Sequence, residues 1–186
     1  NRAVKARRQP GSSFKTVHYL AALESGLTPD STVYDLPVTV GGWAPRNDNG
    51  TYQGAMPLKS AFAQSINAVA VRLQIDLGIK RSIDMARRLG FVSTLREEPS
   101  LALGTSEVSV LEMAAAYGTI AARGIQSSPH AIERVRTGNG RIVYVRKQRP
   151  HVRAVAEVHA LAMDELLVNA VERGTGRRAM IPGHAV

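Results

Sequence analysis

Apolar residues recur at helical spacing near the start of the chain, between the turn dipeptide Pro10-Gly11 and Gly26. The members of this apolar face are Phe14, Val17, Leu20, Ala21 and Leu23. The spacing predicts an amphipathic helix that begins near Ser12, with Gly11 or Ser12 as its N-cap, and that ends at Gly26.

Residues 27–56 show no such period and are rich in Pro, Gly, Asp, Asn and Thr. Short β-like runs occur at 32–34 and 38–40, and no longer run follows them. We therefore expect a long surface excursion with short strands, and loops of this length often carry function.

Three short helices are predicted next, and each is marked by a Pro or a Gly. The helical segments are 57–64, 68–77 and about 80–89. Pro57 fits the first turn of the first helix, while Gly78 and Gly90 close the second and the third.

Two longer helices are predicted in the second half of the chain. The stretch S-V-L-E, from Ser109 to Glu112, is a capping-box pattern before an Ala-rich helix that stops at Gly124. Apolar spacing over 154–173 predicts a long amphipathic helix, which Gly174 ends.

One hairpin is predicted between these two helices, because β-rich segments at 131–136 and 141–146 flank the turn dipeptide Asn139-Gly140. The predicted helices far outnumber the predicted strands. The fold class is therefore helix-rich α+β, and we expect an incomplete sheet whose other strands come from residues outside this sequence.

The composition favours a packed domain with a basic, solvated surface. Of 186 residues, 44% are hydrophobic and 21% are charged, and the net charge is +9. The basic residues come in pairs rather than in long blocks, and a single Trp offers little stacking surface, so we expect no nucleic-acid binding. The absence of Cys excludes disulfides and thiolate sites, and the five His lack metal-ligand spacing, so no metal or cofactor is expected.

The sequence contains no run of 18 apolar residues and no signal-peptide pattern, and it does not begin with Met. We expect residues 1–186 to be part of a single domain that is truncated at both ends.

The first candidate chemistry is the spacing of Ser12 and Lys15, which places both on one face of a helix start. A serine hydroxyl becomes a nucleophile when a base removes its proton, and a lysine with a lowered pKa can be that base. The positive field of a helix N-terminus favours developing negative charge there. Alone, the motif more often marks an N-cap serine and a solvated lysine.

The second candidate pair is Ser65 and Asn67, two residues apart between two predicted helices. In an extended or turn segment both side chains would point the same way. The hydroxyl could pass a proton to a leaving amine, and the amide could hold a substrate carbonyl and contact Lys15. An ordinary helix cap is the alternative.

These two motifs are the first two parts of the S-x-x-K, S-D-N and K-T-G signature of penicillin-binding proteins and class A β-lactamases. The chain resembles the transpeptidase domain of class A (bifunctional) penicillin-binding proteins over nearly its whole length. The matching stretches, in family order, are NRAVKARRQPGSSFK (1–15), WAPRN (43–47), TYQGAMPLKSAFAQSINAVAVRL (51–73), ARRLGF (86–91), PSLALGTSEVSVLEMAAAYGTIAARG (99–124) and VERGTGRRA (171–179).

The resemblance implies a penicillin-binding protein/serine β-lactamase-like transpeptidase fold and a peptidoglycan D,D-transpeptidase. Ser12 would attack the stem peptide at D-Ala-D-Ala, Lys15 would be its base, and Ser65 would relay a proton to the leaving D-Ala. Asn67 would position Lys15 and the substrate amide. β-Lactams would acylate Ser12. The family also implies a periplasmic domain on the bacterial inner membrane, with a membrane anchor and a glycosyltransferase domain outside this chain.

The sequence departs from the family at two points: Thr16 stands where proline is usual, and no K-T-G occurs in the chain. Trp43, Gly104 and Thr105 are candidate substrate-binding residues at the cleft. A D,D-carboxypeptidase, a β-lactamase-type hydrolase and a catalytically incomplete binding or structural module remain alternatives. Glu107 and Glu112 are better explained by capping and a solvated face than by acid–base chemistry.

Overall fold

The computed structural model describes residues 1–147 and 150–184. Its α-helices are α1 (Arg2–Lys5), α2 (Lys15–Glu24), α3 (Leu58–Ala63), α4 (Asn67–Leu77), α5 (Ile79–Arg88), α6 (Val110–Ala121) and α7 (Glu157–Arg173). Its strands are β1 (Thr32–Asp35), β2 (Gly54–Pro57), β3 (Arg134–Arg136) and β4 (Ile142–Val145). Short 3-10 turns occur at Gly11–Phe14, Pro99–Leu103 and Arg177–Ala179.

Helix α2 is the centre of the core, and it packs against α4, α5 and α7. Nine of its residues, from Lys15 to Leu23, are buried. The predicted one-sided amphipathic helix is therefore enclosed on every side. Such burial is possible because most of its residues are apolar or small and because Lys15, Thr16 and His18 find hydrogen-bond partners. The hydroxyl of Tyr19, also buried, has no partner among the described residues.

The start of this helix differs from the prediction. A 3-10 turn from Gly11 to Phe14 precedes α2. The N-cap of α2 is therefore Phe14 rather than Gly11 or Ser12, and no side chain caps the helix. Gly11 has a positive φ of 58° and its amide donates to the Gly104 carbonyl at 3.2 Å. This tertiary contact holds the turn in place, so a local cap is not needed.

The loop region predicted at 27–56 folds back on itself, and its two ends form a two-stranded antiparallel sheet. Strand β1 pairs with β2 in the register Thr32 to Pro57, so β2 is a strand that the sequence pattern missed. Pro57 is extended (ψ 145°) and caps α3, which corrects its predicted place inside the first helical turn. The predicted strand at 38–40 is reduced to a bridge between Val40 and Trp43.

The other helices follow the predicted segments closely. The capping box of α6 is present, since the Ser109 hydroxyl accepts from the Glu112 amide and the Glu112 carboxylate accepts from the Ser109 amide. Helix α7 begins at Glu157 rather than at 154, because Ala154 instead donates its amide to the Gly124 carbonyl at 2.9 Å.

The predicted hairpin is present as β3 and β4, with a register irregularity next to Val135, and its strand residues are exposed. In the part of the chain that the structure describes, both sheets have two strands. The fold is thus the helix-rich α+β fold that the sequence predicts. Across the described ranges, no helix combines the length and the apolar character needed to cross a lipid bilayer.

Candidate active site

The structure distinguishes the two adjacent serines of the 3-10 turn. The Ser13 hydroxyl donates to the Pro10 carbonyl at 2.7 Å, so it is used within the turn. The Ser12 side chain is exposed, and its hydroxyl has no hydrogen-bond partner within residues 1–147 and 150–184. Of the two serines, Ser12 therefore has the hydroxyl that the described residues leave unengaged.

Lys15 is the first residue of α2, and its side chain is only 2% exposed. Its Nζ lies 2.7 Å from Asn67 Oδ1, 2.9 Å from Ser65 Oγ and 2.6 Å from the Ser65 carbonyl oxygen. The structure thus brings Lys15, Ser65 and Asn67 together across about 50 residues of sequence, and it excludes the alternative of a solvated lysine.

Ser65 lies in the tight connection between α3 and α4, with a positive φ of 54°. This left-handed conformation is strained for a residue with a Cβ, by about 1 kcal/mol. Asn67 is the first residue of α4 rather than a loop residue, one position earlier than the predicted start of that helix. The turn and the helix start together aim the hydroxyl and the amide at the same amine.

The C-terminal glycine-rich segment supports this turn. Thr175 donates its amide to the Ala63 carbonyl at 2.9 Å, two residues before Ser65. A Cβ on Gly174 would lie 2.2 Å from that same carbonyl oxygen, so only glycine permits this approach.

Burial lowers the pKa of Lys15 from 10.5 to about 8, and the nearby negative charge of Asp48 partly opposes this shift. The protonated amine can donate one hydrogen to each of its three partners. The neutral amine keeps two donors for the Ser65 carbonyl and Asn67 Oδ1, and its lone pair can accept from Ser65 Oγ. The site therefore fits both protonation states, as a proton-transfer group requires.

His18 lies one turn further along α2, and burial lowers its pKa to about 4. Its ring nitrogens contact Ser82 Oγ at 2.6 Å and the Leu101 carbonyl oxygen at 3.1 Å. The imidazole is therefore neutral at physiological pH and places no second positive charge beside Lys15.

The loop after Trp43 covers the other side of Asn67. Asn67 Nδ2 donates to the Arg46 carbonyl at 2.9 Å and to Asp48 Oδ1 at 3.2 Å. Asn47, which is 5% exposed, lies between these two residues in the chain. The sequence marks WAPRN only as a stretch that matches the family. It does not predict that Arg46, Asn47 and Asp48 contact the start of α4.

The candidate substrate-binding residues have different surroundings. Gly104 packs directly against the 3-10 turn that contains Ser12. The contact is so close that a Cβ on Gly104 would lie 2.2 Å from the Gly11 carbonyl oxygen. Thr105 Oγ1 is 2.9 Å from Ser100 Oγ, and Trp43 is half-buried against the core. Of the three, Gly104 has the direct structural connection to the serine turn.

Tyr117 is a further residue of the site that sequence reasoning missed. Its hydroxyl donates to the Ser13 carbonyl at 3.0 Å and lies 2.9 Å from Thr16 Oγ1, which must then be the donor in that pair. Burial raises the pKa of Tyr117. Thr16, at the position where proline is usual, thus ties α6 to the start of α2.

Glu112 has a structural role, though not on a solvated face. It is buried, and besides capping α6 it accepts from the amides of Val92 and Ser93 and pairs with Arg7 at 3.0 Å. Burial raises its pKa, but these hydrogen bonds outweigh that effect and hold the pKa at about 2. Glu107 is exposed. Within the described residues, no three His, Cys, Asp or Glu side chains are grouped as a metal site requires.

Comparisons with known proteins identify the family of the chain. A family model described as "Penicillin binding protein transpeptidase domain" matches residues 1–186. Penicillin-binding protein 1A of Pseudomonas aeruginosa is 39% identical over 171 residues, which cover 88% of this chain and 21% of that protein. The chain therefore spans about a fifth of the length of this relative.

Solved structures share the same fold. Penicillin-Binding Protein 1A from Haemophilus influenzae aligns with a TM-score of 0.87 at 27% identity, covering 96% of this chain and 33% of that one. The PonA1 protein from Mycobacterium tuberculosis, solved in complex with penicillin V, aligns with a TM-score of 0.83 at 27% identity, covering 94% of this chain and 52% of that one. Because the family model spans the whole sequence and these relatives agree with it, the chain belongs to the transpeptidase domain family of class A penicillin-binding proteins.

Proposed function

We propose that this chain carries the acyl-transfer centre of a peptidoglycan D,D-transpeptidase, with Ser12 as the nucleophile. The observation that carries the proposal is the buried Lys15 amine, bonded to Ser65 Oγ and Asn67 Oδ1 and three residues after a free, exposed serine hydroxyl. A lysine whose pKa is near 8 can exist as a neutral base at modest cost near neutral pH.

In the first half of the reaction, Ser12 Oγ attacks the carbonyl carbon of the penultimate D-Ala of a stem peptide. Lys15 accepts the serine proton, and the carbonyl oxygen gains negative charge. The intermediate then collapses, the C–N bond breaks, and the departing D-Ala amine takes a proton through Ser65. Asn67 keeps Lys15 oriented and holds a carbonyl of the donor peptide. The product is an ester on Ser12.

In the second half, the amine of a neighbouring stem peptide attacks this ester and loses its proton to the same Lys15 and Ser65 pair. The new amide bond is the cross-link, and Ser12 recovers its proton. β-Lactams would enter by the first half alone and remain as an acyl group on Ser12, which agrees with the penicillin V complex of PonA1.

The proposal includes the setting of the site. The chain forms part of a single transpeptidase domain truncated at both ends, in a periplasmic protein of the bacterial inner membrane. A membrane anchor, a glycosyltransferase domain and the K-T-G strand lie outside these residues. The match to about a fifth of penicillin-binding protein 1A supports a longer protein.

Labelling with a fluorescent penicillin tests the nucleophile. The label should form on the purified protein and should be lost in Ser12→Ala, while Ser13→Ala, the matched control one residue away, should keep it. Mass spectrometry should place the acyl group on the peptide that contains residues 9–15. Persistent labelling of Ser12→Ala would overturn the assignment of the nucleophile.

The fate of the acyl group separates the alternatives. A stable label, together with an amide product when a D-Ala-D-Ala donor and an amine acceptor are supplied, supports transpeptidation. Rapid release of the label with turnover would support a β-lactamase-type hydrolase, and release of D-Ala without an amide product would support a carboxypeptidase. The absence of any label would support a binding or structural module.

A further inference from the structure

Every hydrogen-bonding group of the Asn67 side chain is occupied in this structure. Its Oδ1 accepts from Lys15 Nζ at 2.7 Å. Its Nδ2 carries two hydrogens, and these meet two acceptors, the Arg46 carbonyl at 2.9 Å and Asp48 Oδ1 at 3.2 Å. A ligand carbonyl can bind this amide only by displacing one of these two acceptors.

The Arg46 carbonyl is the fixed acceptor of the two, because the next residue is anchored on three sides. Asn47 Nδ2 donates to Asp35 Oδ1 at 2.7 Å and to the Thr51 carbonyl at 2.8 Å, and Asn47 Oδ1 accepts from the Ala68 amide at 3.1 Å. Both Asp35 and Asn47 are buried. Moving the Arg46 carbonyl would therefore disturb a buried polar network.

Asp48 is the replaceable acceptor. Asp48 is exposed, and within the described part of the chain its carboxylate has no hydrogen-bond donor other than Asn67. Rotation of this side chain into water frees one Asn67 N–H without moving the backbone of the loop. A carboxylate is also a stronger acceptor than a neutral carbonyl, so it competes effectively for that hydrogen.

We propose that Asp48 is a specificity-determining residue that competes with the ligand for the Asn67 amide and so weakens recognition of ligands that present a carbonyl there. The inference rests on the proposed function, because it concerns ligands that acylate Ser12. The ligand class is an acyl donor with an amide carbonyl beside the scissile bond. An anionic group at that position would in addition be repelled by the Asp48 charge.

Asp48 has a second effect that the experiment must separate from the first. Its negative charge favours the protonated form of Lys15, so its removal would increase the neutral fraction of the base for every ligand. His18 on the same helix also lies near this amine, and burial lowers its pKa to about 4, so it is neutral at the pH of the experiment. At pH 9.5, Lys15 is mostly neutral with or without Asp48, and the charge effect is then small.

The experiment measures the second-order rate of Ser12 acylation at pH 9.5 with two ligands. Benzylpenicillin carries an acylamino carbonyl, and 6-aminopenicillanic acid has a bare amine at that position. Asp48→Ala should raise the benzylpenicillin rate by roughly fivefold, which corresponds to about one net hydrogen bond, and should leave the other rate within about twofold. Asp48→Asn retains an acceptor without the charge and should keep the ratio of the two rates near that of the wild type.

Asp164→Ala on α7 is the matched control, since it removes an exposed carboxylate with no hydrogen bond or ion pair in the described ranges, and it should change neither rate. An unchanged ratio in Asp48→Ala, or an equal gain for both ligands, would overturn the inference while leaving Ser12 as the nucleophile. No acylation of the wild type by either ligand would instead overturn the proposed function, and the inference with it.

Discussion

The rate at which a β-lactam acylates Ser12 should depend on pH through the buried amine of Lys15. Burial lowers the pKa of this amine to about 8, and only the neutral amine can take the serine proton. From that pKa, the neutral fraction is about 9% at pH 7, about 50% at pH 8 and about 91% at pH 9. The second-order rate should therefore rise about tenfold between pH 7 and pH 9 and then level off.

Stopped-flow measurement with nitrocefin or a fluorescent penicillin below saturation gives this rate constant. The signal of Ser12→Ala at each pH measures hydrolysis of the probe by solvent and is subtracted. His18, with a pKa of about 4, does not titrate in this range. Asp48→Asn removes the charge that raises the pKa of Lys15, so its profile should have the same shape with its midpoint below about 8.

Two results would refute this reasoning. A rate that stays constant between pH 7 and pH 9 would mean that Lys15 is not the base in the rate-determining step. A midpoint near 10.5, the ordinary value for lysine, would mean that the amine is not buried among Ser65 and Asn67 when the ligand reacts.

Three further predictions concern the supports of the site. Gly104→Ala should destabilise the protein by at least about 2 kcal/mol and slow acylation, because the new Cβ would lie 2.2 Å from the Gly11 carbonyl oxygen and because a φ of +71° is unfavourable for alanine. Gly138→Ala is the control. A Cβ there would have no heavy atom within 4 Å, so this variant should unfold at nearly the wild-type temperature. Asn47→Ala should cost about 2–3 kcal/mol in urea unfolding, because it removes the side-chain donor to Oδ1 of the buried Asp35 and leaves that carboxylate only the Gln53 amide. A loss under about 0.5 kcal/mol would contradict the network. The pKa of Glu112 is lowered from 4.5 to about 2, so its ionised carboxylate stabilises the fold above pH 4.5, and this stabilisation is lost as the pH falls toward 2. In Glu112→Gln, the free energy of unfolding should therefore depend less on pH between about 4.5 and 2 than in the wild type.

Local signals in the sequence predicted most of the helices because those signals are sufficient to define a helix end. Gly78 separates α4 from α5, and the Ser109 capping box starts α6 where the pattern placed it. Such features act within a few residues, and a single sequence displays them directly.

Strand β2 was missed because its pairing with β1 is not local. The four residues from Gly54 to Pro57 show no alternation of their own, and a strand that contains Pro and Gly is disfavoured by propensity. Only the partner strand, some twenty residues earlier, supplies the hydrogen bonds that make this segment extended.

By itself, the sequence determined the helix-rich class, the order of the motifs and the candidate residues Ser12, Lys15, Ser65 and Asn67. Only the tertiary structure decided that Lys15 is buried, that Ser13 is used within its own turn, and that Asp48 and Arg46 occupy the Asn67 amide. The physical reason is that a pKa and a hydrogen-bond partner depend on which surfaces are brought together, and packing joins residues that are about twenty to a hundred positions apart. The chemistry of Lys15 is therefore a property of the folded core that encloses it.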